Sequence, residues 1–212
     1  MLWIITAVTV SYILGSIPTA YIFGRLIKGI DIRKFGSGNV GATNALRVLG
    51  RGAGIVVLLL DILKGFLAVT FLGNIFSLKI TVLSQEFLGV LLGVACILGH
   101  NWTVFLRFKG GKGIATTLGV LVGLACGITG LRIALLLLVL TWLTVFLVSR
   151  IVSVASLLSA LVLPLYLLFL KQSHFLVWVS IILSLLIIWR HKSNLSRILR
   201  GKEPRLQFKK PQ

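Results

Sequence analysis

Residues 132–149 read RIALLLLVLTWLTVFLVS. One charge stands at the first position, and none follows in the stretch. A bilayer core about 30 Å thick is crossed by roughly 20 apolar residues in a helix. Comparable stretches recur at 2–24, 53–76, 87–106, 114–130, 151–170 and 174–189. Together the seven leave no room for a soluble domain. Composition agrees: 58% of residues are hydrophobic, 12% are charged and the mean hydropathy is +1.07. A soluble domain carries about 25% charged residues. The expected fold is an all-α polytopic membrane protein of seven transmembrane helices, with residues 1–212 as one integral-membrane domain.

Basic residues set the orientation, because short cytoplasmic loops are rich in Lys and Arg. The loop 25–52 holds Arg25, Lys28, Arg33, Lys34, Arg47 and Arg51. The loop near 107–113 holds Arg107, Lys109 and Lys112, and the turn at 150 holds Arg150. The tail holds Arg190, Lys192, Arg197, Arg200, Lys202, Arg205, Lys209 and Lys210. The opposite side receives only Lys79, Arg132 and Lys171. The N-terminus is therefore expected outside and the C-terminus in the cytoplasm. Residues 2–24 lack a basic leader and an A-x-A site, which reads as a retained span rather than a cleaved signal peptide.

Two cysteines, Cys96 and Cys126, fall in apolar spans and read as small buried hydrophobes. No His/Cys cluster stands at metal-ligand spacing, so neither a metal nor another cofactor is expected. Gly89/Gly93, Gly119/Gly123 and Gly123/Gly127 form G-x-x-x-G pairs inside spans. Small residues there let membrane helices approach closely.

The stretch GSGNVGATN, 36–44, contains the G-x-G-x-x-G of a dinucleotide-binding turn, and Asp61 lies 20 residues beyond its last glycine. That fingerprint needs a preceding strand and a βαβ unit. Here a membrane span precedes it and Asp61 lies inside the next span, so the dinucleotide reading fails on context. The glycines fit a different anion site.

The net charge of +18 calls for anionic partners. Adhesion to anionic headgroups, at about 1 kcal/mol per basic residue, accounts for scattered charge. It does not account for basic residues set among Gly, Ser, Thr and Asn. Such loops suit phosphate, because bare backbone N–H groups and a helix N-terminus can approach the anion. Three clusters of this kind face the expected cytoplasmic side. The first is GSGNVGATNALR, 36–47, with donors on Ser37, Asn39, Thr43 and Asn44 and a guanidinium on Arg47. The second is FKGGKGIATTLG, 108–119, where Gly110, Gly111 and Gly113 surround Lys112 at a helix start. The third is RHKSNLSRILRGKE, 190–203, in which His191 and Asn194 share a helical face. His191 suits anion donation or general-base work near neutral pH. Arg150 and Ser153 sit in the remaining cytoplasmic turn.

Asp61 and Lys64 lie inside the second span, three residues apart. Each charge costs on the order of 2.5–3.5 kcal/mol at mid-bilayer. The spacing allows a pair, and a structural pair that positions a neighbouring loop is the favoured reading. His100 and Asn101, just before the second cluster, read as capping or packing residues.

These pieces resemble the bacterial membrane-embedded acyl-phosphate:glycerol-3-phosphate acyltransferase family. The resemblance rests on GSGNVGATNALR, DILKG at 61–65, GHNWTVFLRFKGGKGIAT at 99–116 and RHKSNLSRILRGKE. Trp102, Thr103 and Lys202 are small departures outside the polar core of these motifs. The resemblance implies seven spans in the inner membrane and an active site facing the cytoplasm. It implies acyl transfer from acyl phosphate to glycerol 3-phosphate, giving lysophosphatidate and phosphate. The partners it implies are both substrates, the lipid bilayer and the enzyme that produces acyl phosphate; nucleic acid is not among them. The expected catalytic residues are Ser37, Arg47, Lys112 and His191. Asn39, Thr43, Asn44, Gly110, Gly111, Gly113, Asn194 and Ser153 are expected to bind substrate. Only four acids exist, Asp31, Asp61, Glu86 and Glu203, and no H-x-x-x-x-D pair occurs. The proton acceptor is left between His191 and a substrate phosphate. A membrane transporter of a phosphate-bearing anion is the rival class, although the halves show no internal duplication.

Overall fold

The computed structural model describes residues 1–206, and Lys209 and Lys210 of the basic tail lie outside the described residues. Every apolar stretch is helical, and the described residues contain no strand. The backbone gathers into two compact units, Met1–Ile128 and the chain from Thr129 onward.

In the first unit the opening apolar stretch is two helices, α1 (Leu2–Ser16) and α2 (Thr19–Lys28), rather than one. Pro18 separates them; it has no N–H to continue the helical ladder. A loop leads to α3 (Ala42–Leu49), then α4 (Arg51–Leu67), a π-helical turn at Ala68–Leu72 and α5 (Gly73–Ser77). Helix α6 (Gln85–Asn101) starts on Ser84, whose hydroxyl accepts the Phe87 N–H at 3.2 Å. After a 3-10 turn at Val104–Leu106 comes α7 (Ile114–Gly127).

Close helix approach explains the glycines of this unit. A Cβ at Gly65 would overlap Thr116 O of α7, and one at Gly119 would overlap Ile62 O of α4. At Gly123 it would stand 2.8 Å from Val69 Cβ. On the other side Gly15 and Gly99 bring α1 and α6 together, and the Ser11 hydroxyl donates to Leu92 O at 2.6 Å. Gly127 meets nothing within 4 Å, so of the Gly123/Gly127 pair only Gly123 packs helices as expected. Cys96 is buried but Cys126 is exposed, which corrects the expectation of two buried thiols.

The second unit contains α8 (Thr129–Ser149), α9 (Val152–Phe169), α10 (His174–Arg190) and α11 (Lys192–Leu199). Polar ties join these helices: Trp142 Nε1 donates to Ser156 Oγ at 3.2 Å, and Ser184 Oγ donates to Ala160 O at 2.5 Å.

Among the described residues, five helical runs are long and apolar enough to cross a membrane: Leu2–Lys28, Arg51–Ser77, Gln85–Leu106, Thr129–Ser149 and Val152–Phe169. His174–Arg190 with Lys192–Leu199 makes a sixth if that pair, bent by 62°, is one span. Ile114–Gly127 is apolar but has 14 residues. At 1.5 Å per residue it reaches about 21 Å, short of the roughly 30 Å hydrocarbon core.

Candidate active site

The first glycine loop is built from its asparagine. Helix α2 stops at Gly29 in the left-handed region (φ 67°), and Asp31 then caps a 3-10 turn by accepting the Arg33 N–H at 3.0 Å. The Arg33 guanidinium returns to Asp31 at 2.7 Å and holds its carboxyl down at about 2. The chain next turns through Gly36 (φ 60°) and Gly38 (φ 70°), values that side chains strongly disfavour. Asn44, 1% exposed, fixes that turn. Its Oδ1 accepts the Ser37 N–H at 2.9 Å, and its Nδ2 donates to Phe35 O at 3.1 Å and Ile32 O at 3.3 Å. Both amide hydrogens are thus used on loop backbone, so Asn44 shapes the loop that presents Ser37. Ser37 and Arg47 are exposed, whereas Asn39 and Thr43 are half-buried. Gly41 precedes α3 without a side-chain cap, which leaves the first amides of that helix directed toward the loop.

The second loop hangs from the end of α6. Asn101 O accepts the Gly110 N–H at 3.2 Å and His100 O accepts the Gly111 N–H at 3.0 Å. The base is anchored by Thr103, whose hydroxyl donates to Ser16 O at 2.5 Å. Arg107 (φ 54°) and Phe108 (φ 61°) are both left-handed, a strained pair of non-glycine residues. All three glycines around Lys112 are sterically required. A Cβ at Gly110 would overlap His100 O, and one at Gly111 would overlap the His100 ring and stand 2.9 Å from Val40 O. Gly113 is left-handed (φ 82°) and opens α7 without a side-chain cap. It borders Asn101, which is fully buried with neither Oδ1 nor Nδ2 hydrogen-bonded among the described residues. Lys112 is half-buried at that helix start. The Gly111–Val40 approach also brings the first two motifs against one another.

Behind the second loop lies the intramembrane pair. Lys64 Nζ stands 2.9 Å from Asp61 Oδ1, and both residues are buried. The Thr19 hydroxyl donates to the same oxygen at 2.7 Å, and His100 Nδ1 lies 3.7 Å from it. Lys64 also donates to Ile17 O at 3.1 Å. His100 is therefore more than a cap.

In the second unit, Glu203 organises the third motif. Its Oε1 accepts from Ser153 Oγ at 2.7 Å and from Asn194 Nδ2 at 2.5 Å, and its Oε2 accepts from Arg197 Nε at 2.6 Å. Burial pushes this carboxyl up, but the three donors outweigh it and hold it below the usual carboxylate range. Ser153 and Asn194 are thus tied to Glu203. His191, 3% exposed, directs Nδ1 to Ile187 O at 2.8 Å; that carbonyl accepts, so Nε2 is the basic nitrogen of the neutral ring. Glu203 was not among the expected site residues. Its signal was that it is the one acid in the basic tail after residue 190.

A family model described as Glycerol-3-phosphate acyltransferase matches residues 5–201. The chain belongs to that family. It is 44% identical over 195 residues to the glycerol-3-phosphate acyltransferase of a Synechococcus species, covering 92% of this chain and 91% of the relative. The Desulforamulus reducens protein of the same name is 42% identical, with 94% of each chain covered. Among solved structures, PlsY (YgiH), an integral membrane glycerol 3-phosphate acyltransferase, in its glycerol 3-phosphate form is 38% identical. That match covers 96% of both chains with a TM-score of 0.82. The lysophosphatidic acid form of PlsY gives 37% identity and a TM-score of 0.79, covering 96% of this chain and 95% of that one. The chain is accordingly an integral membrane acyltransferase, and the first two motifs and residues 190–201 of the third lie within the residues the family model matches.

Proposed function

We propose that this protein transfers a fatty acyl group from acyl phosphate to glycerol 3-phosphate, releasing lysophosphatidate and phosphate. The observation that carries this reading is the approach of Gly111 to Val40, which supports a pair of adjoining anion sites. In the proposed arrangement Ser37, Asn39, Thr43 and Arg47 hold glycerol 3-phosphate on the loop that Asn44 shapes. Lys112 and the amides around Gly110, Gly111 and Gly113 hold acyl phosphate and neutralise charge as phosphate leaves. His191 is a proposed catalytic residue of the second unit, in which Asn194 and Ser153 are held by Glu203. Residues 1–212 work as one acyltransferase domain. Seven crossings of the bacterial inner membrane, with the short helix Ile114–Gly127 counted as one of them, would put the N-terminus outside and the active site in the cytoplasm. The bilayer supplies the acyl chain with its solvent, and the enzyme that makes acyl phosphate is the partner upstream.

The reaction is a direct displacement. A glycerol hydroxyl oxygen bonds the acyl carbon, the acyl C–O bond to phosphate breaks, and phosphate leaves. Holding the two reactants in line is worth roughly 7–11 kcal/mol of barrier. Three acids are engaged elsewhere: Asp31 by Arg33, Asp61 by Lys64 and Thr19, Glu203 by three donors. That engagement favours a substrate phosphate, with a second pKa near 6, as the proton acceptor. His191 Nε2 is the alternative acceptor. The test supplies purified protein in detergent with acyl phosphate and glycerol 3-phosphate. Lysophosphatidate forms without a membrane gradient; its absence, with phosphate uptake by proteoliposomes, would instead establish a transporter. An acyl group trapped on Ser37 during turnover would replace direct transfer by a covalent route.

A further inference from the structure

Helix α11 wears its faces the wrong way round for water. Asn194 and Arg197, three residues apart, turn inward to the Glu203 carboxylate at 2.5 and 2.6 Å, and Asn194 is buried. Lys192, Leu195 and Leu199 follow the i, i+3, i+7 spacing of the opposite face, and all three are exposed. Leu199 is 82% exposed and Leu195 40%. An amphipathic helix surrounded by water puts its leucines inside and its amide and guanidinium outside. The inverted arrangement calls for an apolar medium over the outer face.

The neighbouring residues identify that medium. Helix α10 is apolar along its length, and α11 bends 62° away from it, so α11 runs from the end of a membrane helix toward the plane of the bilayer. Trp189, in the last turn of α10, is half exposed, and the Lys192 ammonium stands 5.4 Å from the centre of its ring. Indoles with cations beside them belong at the headgroup level. Lys192, Arg200 and Lys202 all stand exposed alongside the leucines.

We propose that α11 is an interfacial helix for an anionic bilayer surface: Leu195 and Leu199 enter the acyl boundary, Lys192, Arg200 and Lys202 take acidic headgroups, and this seat steadies the Glu203 cluster. The helix has eight residues, too few to persist without packing on both sides. Its inner side is already tied down. Glu203 also accepts from Ser153 Oγ at 2.7 Å, and the Leu206 N–H donates to Arg150 O at 2.8 Å, which stitches the segment after α11 to the start of α9. Lipid supplies the outer side. Because His191 leads directly into α11, the catalytic rate follows the acidic lipid content of the membrane.

The seat itself stands apart from the acyltransfer reading; the link to rate rests on the role given to His191. The full chain, with Cys126→Ser, is placed in nanodiscs of phosphatidylcholine alone or with an equal part of phosphatidylglycerol. A nitrobenzoxadiazole probe on Ser196→Cys, which is exposed, should emit further to the blue in the mixed discs. High salt should reverse that shift by screening the headgroups. Lysophosphatidate should form about 5-fold faster in the mixed discs, the factor that one basic residue near an acidic surface commands. In the combined variant Lys192→Gln, Arg200→Gln, Lys202→Gln, both responses should vanish while the rate in neutral discs stays within about 2-fold of the parent. Leu199→Ser should lose the blue shift as well. A probe that reports water in both lipids, a shift or an activation that the combined variant keeps, or a rate indifferent to acidic lipid would overturn the proposal. The probe is read without turnover, so discs that seat the helix yet make no lysophosphatidate in either lipid refute the acyltransfer reading alone.

Discussion

Asn44 Oδ1 accepts the Ser37 N–H at 2.9 Å across seven residues, while the same side chain grips Phe35 O and Ile32 O. One buried amide therefore holds both sides of the first loop, and the exposed serine is carried on it. Asn44→Ala leaves one backbone donor and two acceptors without this partner, at about 1–3 kcal/mol for each group left buried and unpaired. The expected result is a lower melting temperature and a loss of at least 100-fold in kcat/KM for glycerol 3-phosphate. Asn44→Asp keeps the acceptor for Ser37 but sets a carboxylate against two carbonyls, and should do no better.

Gly111→Ala drives a methyl group into the His100 ring and toward Val40 O. Acyl transfer should fall at least 100-fold. Gly127→Ala, which meets nothing within 4 Å, should stay within about 2-fold and serves as the matched control. Equal losses in the two would remove the steric account of the second motif.

Acid should weaken the fold through two carboxylates outside the membrane. Asp31 is held at about 2 by Arg33, and Glu203 is held low by Arg197, Ser153 and Asn194 against the upward push of burial. A carboxyl lowered in the folded state stabilises above its unfolded value, near 4, and loses that contribution as pH falls through the folded value. Thermal melts from pH 7 down to pH 3 should show stability declining. Asp31→Asn and Glu203→Gln should each flatten the decline while lowering stability at pH 7. A wild-type melting temperature that rose on acidification would contradict this.

Labelling addresses the topology. In a Cys126→Ser background, Ser37→Cys and Lys112→Cys should react with a membrane-impermeant maleimide from the cytoplasmic side only. Labelling of the two from opposite sides would separate the motifs that Gly111 and Val40 bring into contact, and would end the proposed site.

Much of this was legible before any coordinates. Apolar runs declare membrane helices because hydrocarbon offers the backbone no partners, and among the described residues five of them, or six with the bent pair, are long enough to span. The glycine motifs declared themselves because three glycines around one lysine have few uses. Other features were illegible for physical reasons. The break at Pro18 divides a stretch whose hydropathy alone runs on without interruption. Gly127 has the spacing of a packing residue, but spacing does not say whether a neighbour exists. Asn44 read as a ligand because its amide suits phosphate, yet it suits loop carbonyls equally well. Glu203 stood in the third motif without a role, because a motif does not say which of its members touch and its Ser153 donor lies 50 residues away.

The interruption at Pro18 has one more effect. Ser16 O receives the Thr103 hydroxyl, and Ile17 O receives the Lys64 ammonium beside the Thr19 N–H at 3.1 Å. The kink thus furnishes one oxygen dipole for a cation lodged in oil. Straightening that segment would strip the ammonium of a backbone acceptor, so the proline and the lysine, remote in the chain, share one structural purpose.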